Sequence, residues 1–258
     1  MTTRLIATDT PTYAGYLRLD LLLALQSPLG PPAGTDEHLF IAVHQVHELW
    51  FQLLLRDLTA ARDRMLAGEP RAARLALQRC REIERALMGT IELLDTMSPQ
   101  AFLGFRPALG TASGAQSAQF HEVELLSGPA SPERVAHLDW LTRAERGRLD
   151  QRLLEPTLWD AFLTALALGG HPVMTADERR AALAAVQADP AGQELAELAE
   201  ALVDHDQAWS LWRARHVLVV ERQIGRRPGT GGSSGADHLA ARARARFYPE
   251  LWEFRSTS

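Results

Sequence analysis

One imidazole stands out by its surroundings. His216 lies in Trp209-Ser-Leu-Trp-Arg-Ala-Arg-His216-Val-Leu-Val-Val-Glu-Arg-Gln-Ile-Gly225, where Trp209, Trp212, His216, Val219 and Val220 recur at three- and four-residue steps. That spacing places them on one helical face. The face is aromatic and aliphatic apart from the imidazole. Such a histidine has two readings: a core residue bonded to a backbone carbonyl, the commoner case, or a ligand aimed into an apolar pocket, the setting a haem iron wants. Directly after it comes Gly229-Thr-Gly-Gly-Ser-Ser-Gly235. Its glycines allow positive φ and close backbone approach, and its hydroxyls and amides can meet an anion or an amino acid. The lysine of a Walker loop is missing, and no strand precedes it, so neither phosphate-binding fingerprint fits. A flexible surface linker is the plain alternative. A hydroxyl-rich loop beside a histidine-bearing helix is the better candidate for a substrate lid.

A second histidine face runs through Asp36-Glu-His-Leu-Phe-Ile-Ala-Val-His44-Gln-Val-His47-Glu-Leu-Trp-Phe51. Phe40, His44, His47, Phe51 and Leu54 fall on one stripe. A His-x-x-His-Glu cluster could bind a metal. It lacks the His-Glu-x-x-His order of the zincins and an obvious third ligand. No glutamate stands three residues ahead of any of the nine histidines, so a di-iron helix bundle is also a poor match. His47 by itself reads as structural or solvent-facing.

The elements that must position these residues are helical. Helical patterning runs over 13–27, 36–66, 71–96, 115–127, 132–150, 157–169, 177–189, 192–225 and 237–246, with almost no strand signal. Ser27-Pro-Leu-Gly-Pro-Pro-Ala-Gly34, Gly68-Glu-Pro70, Ser98-Pro99, Gly128-Pro-Ala-Ser-Pro132, Gly169-Gly-His-Pro172 and Asp189-Pro190 break the helices, and none is long enough to separate domains. An all-α, single-domain bundle over 1–258 is expected. The stretch from about 130 to 190, rich in Ala, Leu and Arg, reads as helical filler whose arginines form a solvated face. The 258 residues bury an ample core. A hydrophobic share of 46% and a net charge of −5 are ordinary for a soluble protein and give no reason to expect nucleic acid or an anionic membrane as partner. The lone Cys80 excludes an intrachain disulfide and fits the cytoplasm. Neither a signal peptide nor a membrane span is apparent.

Four blocks together resemble tryptophan 2,3-dioxygenase. They are Tyr13-Ala-Gly-Tyr16-Leu-Arg-Leu-Asp20, Asp36 through Trp50, Phe105-Arg106-Pro-Ala-Leu109-Gly-Thr-Ala-Ser113-Gly114, and Arg215-His216 through Gly235. They occur in that family's order and span nearly the whole chain. The resemblance implies an all-helical homotetramer that binds haem b, with ferrous iron for activity, in the kynurenine pathway of tryptophan catabolism. It implies insertion of both atoms of O₂ across the indole C2–C3 bond of L-tryptophan, giving N-formylkynurenine. By the same resemblance His216 is the axial haem ligand. His44 is the catalytic histidine that meets the indole N–H, and Phe40 packs on the indole. Arg106 pairs with the substrate carboxylate, a task that suits a bidentate guanidinium. Thr230 contacts the amino-acid end. Leu109, Ser113 and Gly114 match haem-pocket positions. Tyr13, Tyr16 and Leu17 match an N-terminal segment, within residues 1–30, that reaches into a neighbouring subunit, Tyr13 towards substrate and the other two towards haem.

Two residues depart from the family's pattern. Phe102 stands where a tyrosine usually helps hold the substrate carboxylate, so one phenolic donor is lost. Ala115 stands where a phenylalanine is usual, which enlarges the wall. These changes keep a second reading in play, a haem-dependent oxygenase of a substituted tryptophan or indole. A non-catalytic haem carrier would not need an arginine and a hydroxyl loop suited to an amino acid.

Overall fold

Helix start signals in the sequence account for much of the architecture. In the computed structural model, which describes residues 11–30, 36–231 and 235–256, the described residues form helices and no strands. The α-helices are α1 (Tyr13–Leu17), α2 (Leu19–Leu22), α3 (Asp36–Leu66), α4 (Pro70–Glu92), α5 (Pro99–Phe105), α6 (Ala118–Ser127), α7 (Arg143–Leu154), α8 (Leu158–Leu168), α9 (Ala176–Ala188), α10 (Gln193–Ile224), α11 (Ala236–Ala243) and α12 (Pro249–Phe254). The α7, α8 and α9 helices each open on a reciprocal cap: Thr142 with Glu145, Thr157 with Asp160, and Thr175 with Glu178. Each pair satisfies two amides that the first turn leaves unbonded, and losing such a cap typically costs about 1 kcal/mol. Acidic Asp36 and Glu37 start α3 and Arg64 lies in its last turn, both favourable to the helix dipole.

The amphipathic α4 is the shared support. Its Ala73, Leu77, Cys80, Ile83, Leu87 and Ile91 recur every three or four residues, and all are buried. Both α3 and α10 pack along α4. They meet each other mainly through aromatic rings: His47 with Trp212, and Phe51 with Trp209 and Trp212, each pair 5.9 Å between centroids. The ring contacts pair rising α3 numbers with falling α10 numbers, so the two helices run antiparallel. Short α5 touches both of them. Buried polar groups tie the bundle from behind. The Glu124 carboxylate accepts from Trp209 Nε1 at 2.6 Å and from Arg134 Nη2 at 2.9 Å. His205 bridges Glu84 at 2.6 Å and Ser127 at 2.9 Å.

Several sequence expectations change. The N-terminal helix is broken at Arg18, whose φ of 53° leaves the right-handed region. The expected 132–150 helix is a single 3₁₀ turn at Pro132–Arg134, then turns, then α7. Arg146 explains the break, since its guanidinium donates to the carbonyls of Val135 and Leu138, both at 2.6 Å. Nor do the arginines of this region simply face solvent. Arg148 pairs with buried Glu122 at 2.8 Å and Arg179 with Glu250 at 2.7 Å. The Ser98-Pro99 break is a helix start: Ser98 Oγ accepts from the Ala101 amide at 3.0 Å and Pro99 takes the first turn of α5.

Candidate active site

The first wall of the site comes from the start of α3. His44 Nδ1 lies 2.7 Å from the Phe40 carbonyl one turn back. A carbonyl can only accept, so Nδ1 carries the proton and Nε2 keeps its lone pair. Burial lowers the His44 pKa below 6.5, which keeps the ring neutral. The side chain therefore presents a neutral acceptor. The Phe40 ring lies 4.1 Å from the His44 ring, and 5.7 and 5.5 Å from Phe102 and Phe105. These three phenylalanines make an aromatic surface beside a single imidazole acceptor, a shape suited to a flat aromatic molecule with one N–H.

The opposite wall is α10. The His216 ring sits 5.3 Å from Trp212, which stacks on Trp209 at 5.4 Å. Trp209 is fully buried and anchored on Glu124. His44 and His47 each bond back to their own helix, whereas no hydrogen bond is recorded for either nitrogen of His216 among the described residues. Burial, and then the nearby His44 and His47, push its pKa down to about 4. At neutral pH His216 is thus an uncharged, half-buried imidazole with both nitrogens uncommitted. Arg215 beside it pairs with Asp95 and Glu92. Gln223 donates to the carbonyls of Leu94 and Met97. Both contacts fix α10 to the turn that leads into α5.

At the mouth, α5 passes into a 3₁₀ turn, Arg106–Leu109. Arg106, Thr230, Leu103, Pro107 and Gly110 line an open pocket of about 290 Å³. Arg106 Nη2 donates to the Pro228 carbonyl, and Thr230 Oγ1 donates to the Ala112 carbonyl. A Cβ on Gly231 would meet Ser113 Cβ at 2.9 Å. The loop after α10 is therefore latched against the loop after α5, and glycine is what lets it come so near.

Comparison with known proteins supplies the family. The family model described as tryptophan 2,3-dioxygenase matches residues 3–167 and 163–257. The chain is 47% identical over 250 residues to a protein named tryptophan 2,3-dioxygenase from Nocardioides sp., covering 95% of this chain and 94% of that one. It is 39% identical over 256 residues to one of that name from Herpetosiphon aurantiacus, covering 95% and 97%. A third, from Xanthomonas campestris pv. campestris, is 38% identical over 260 residues, covering 95% and 87%. The chain belongs to the tryptophan 2,3-dioxygenase family. It is an oxidoreductase.

The tryptophan 2,3-dioxygenase family is haem-dependent, and the residues present fit that group. Among the described residues no three His, Cys, Asp or Glu side chains come together to hold a metal ion. One uncommitted imidazole, His216, suits a metal that brings its other ligands with it. The ring contacts between α3 and α10 are made one and two turns away from His44 and His216, at His47, Phe51, Trp209 and Trp212.

The structure brings Phe40, His44, Phe102 and His216 together, and places Arg106, Thr230, Leu109, Ser113 and Gly114 along the adjoining loops. Ser113 Oγ accepts from the Ala115 amide and caps the 3₁₀ turn that Gly114 begins. Tyr13, Tyr16 and Leu17 are not brought to this site within the chain. They lie exposed on α1, which buries none of its residues. Gly232, Ser233 and Ser234 of the glycine-rich loop lie outside the described residues. The motif reading missed Phe105, which completes the aromatic wall and could have been found three residues after Phe102. Of the two readings left for His47, structural or solvent-facing, burial against Trp212 removes the second.

Proposed function

We propose that this chain is a haem-dependent dioxygenase that opens the indole C2–C3 bond of L-tryptophan with O₂ and gives N-formylkynurenine. The observation that carries the reading is the pairing of two differently prepared imidazoles. His44 offers a fixed acceptor beside Phe40, and His216 makes no hydrogen bond through either nitrogen among the described residues. His216 would hold the haem. Haem supplies the oxygen chemistry; the chain's own task is to bind, orient and keep water out. Phe40, Phe102 and Phe105 would hold the indole face. His44 Nε2 would accept the indole N–H and fix its orientation. Arg106 has five N–H donors, so it can meet a carboxylate while one remains on Pro228, with Thr230 beside it. Exposed Tyr13 and Tyr16, 78% and 76% accessible, support a homotetramer in which the first 30 residues complete a neighbour's site.

A second reading, a substituted indole as substrate, is favoured by Phe102, which places no donor beside Arg106. The experiment is to load the protein with haem, reduce it, and supply L-tryptophan in air. Appearance of N-formylkynurenine, and its absence with His216→Ala purified without haem, supports the proposal. A His216→Ala protein with normal haem content and an unchanged Soret band would overturn the ligand assignment.

A further inference from the structure

We propose that His47 and Trp212 together hold one water against the second ring nitrogen of His216, and so tune how strongly that imidazole donates to iron. The inference rests on the haem-ligand reading of His216. His47 is 7% exposed and its Nδ1 donates to the Val43 carbonyl at 2.8 Å. Nε2 therefore keeps its lone pair, and it is buried without a partner. Trp212 is 5% exposed, and its Nε1–H is likewise buried without a partner. The two rings lie 5.9 Å apart, and Trp212 lies 5.3 Å from His216. One stranded acceptor and one stranded donor thus sit on adjoining rings of one buried patch. Leaving such groups unpaired in an interior is costly.

The rings around this patch, Phe51, Phe120 and Trp209, cannot satisfy them. An anion does not fit, because the His47 lone pair would repel it. Arg213, next to Trp212 on α10, gives its two terminal nitrogens to the carbonyls of Arg242 and Ala245 and keeps only a buried Nε without a partner. A small neutral molecule that both accepts and donates does fit, and buried waters take this role. Water has a further acceptor position. A histidine that binds metal through one nitrogen nearly always donates the other N–H to an acceptor, and none is recorded for His216 among the described residues. One water satisfies all three groups: it accepts from Trp212 Nε1–H and from the His216 N–H, and donates to His47 Nε2. His47 is then a positioning residue. Its pull through the water raises the basicity of the ligand and favours ferric over ferrous iron.

The test compares haem-loaded wild type, His47→Leu, His47→Gln and Trp212→Phe. The readouts are the ferric/ferrous potential, the ferrous iron–histidine stretching frequency and the melting temperature. His47→Leu should shift the ferric/ferrous balance several-fold to about tenfold towards ferrous, up to about 59 mV for a one-electron couple, and lower the stretch. His47→Gln should restore both, because its Oε1 can accept from the water. Trp212→Phe should shift both in the same direction as His47→Leu. A lower melting temperature with potential and stretch unmoved in His47→Leu, or in Trp212→Phe where His47→Leu does not fold, overturns the inference. A wild type with no iron–histidine stretch would instead overturn the haem-ligand reading and this inference with it.

Discussion

His44→Ala tests the division of labour between the two imidazoles. Its Nδ1 is committed to the Phe40 carbonyl at 2.7 Å, so only the Nε2 lone pair faces outward. If that lone pair merely receives the indole N–H, its removal costs one neutral hydrogen bond, about 0.5–1.5 kcal/mol net. At 1.36 kcal/mol per decade, kcat/KM for L-tryptophan should fall by about twofold to about thirteenfold. Haem content should not change, because His216 is untouched. 1-Methyltryptophan has no indole N–H to give, so the substitution should not slow its turnover. The measurements are steady-state rates for both substrates and the haem absorbance of each protein. Because burial holds the His44 pKa below 6.5, kcat/KM should also show no inflection from this group above that pH. A loss of a thousandfold or more with L-tryptophan would refute the reasoning, since an obligatory proton acceptor would then be needed.

Arg106→Leu removes a charged partner from the 290 Å³ pocket; at about 1.5–3 kcal/mol, KM for L-tryptophan should rise by roughly tenfold to a hundredfold or more, with little change for carboxylate-free indoles in the same assay. Phe102→Tyr adds a donor next to Arg106 and should lower that KM by several-fold to about tenfold; an unchanged KM would favour a substituted-indole substrate. Burial holds His47 at a pKa of about 4, against 6.5 in the unfolded chain. The unfolded chain binds a proton that the native state refuses, so this contribution is complete above pH 6.5 and is lost as pH falls from 6.5 towards 4. About 3 kcal/mol of native stability rides on it. The haem-free protein should melt progressively lower across that window, and His47→Leu should flatten the slope; equal slopes in calorimetry would count against it.

Periodicity and capping made most of the bundle legible. The α3 and α10 stripes placed Phe40, His44, Trp212 and His216 on inward faces, and Pro and Gly marked most helix ends. Other features needed tertiary contacts. Arg146 looks helical in an Ala/Leu/Arg stretch, yet it settles a turn by bonding two carbonyls 8 and 11 residues back. Ser98-Pro99 reads equally as a stop or a start, and it is a start because α5 has α3 and α10 to pack on. The His47 stripe was visible, but its environment depends on Trp212, 165 positions further along. Nor could the sequence tell that His44 bonds to its own helix while His216 does not.

The common support of α3 and α10 also has a consequence for biosynthesis. The α3–α4 hairpin is local and can pair as soon as the ribosome has released residue 92, whereas α10 ends at residue 224. At about 5–20 residues per second, those 132 intervening residues take roughly 7–26 s to make. For that interval the nascent chain carries the Phe40–His44 surface and its half of α4 with no α10 to cover them. Emergence of α10 both shields that surface and delivers His216. The chain thus cannot present His44 and His216 to a cofactor together until α10 has been translated.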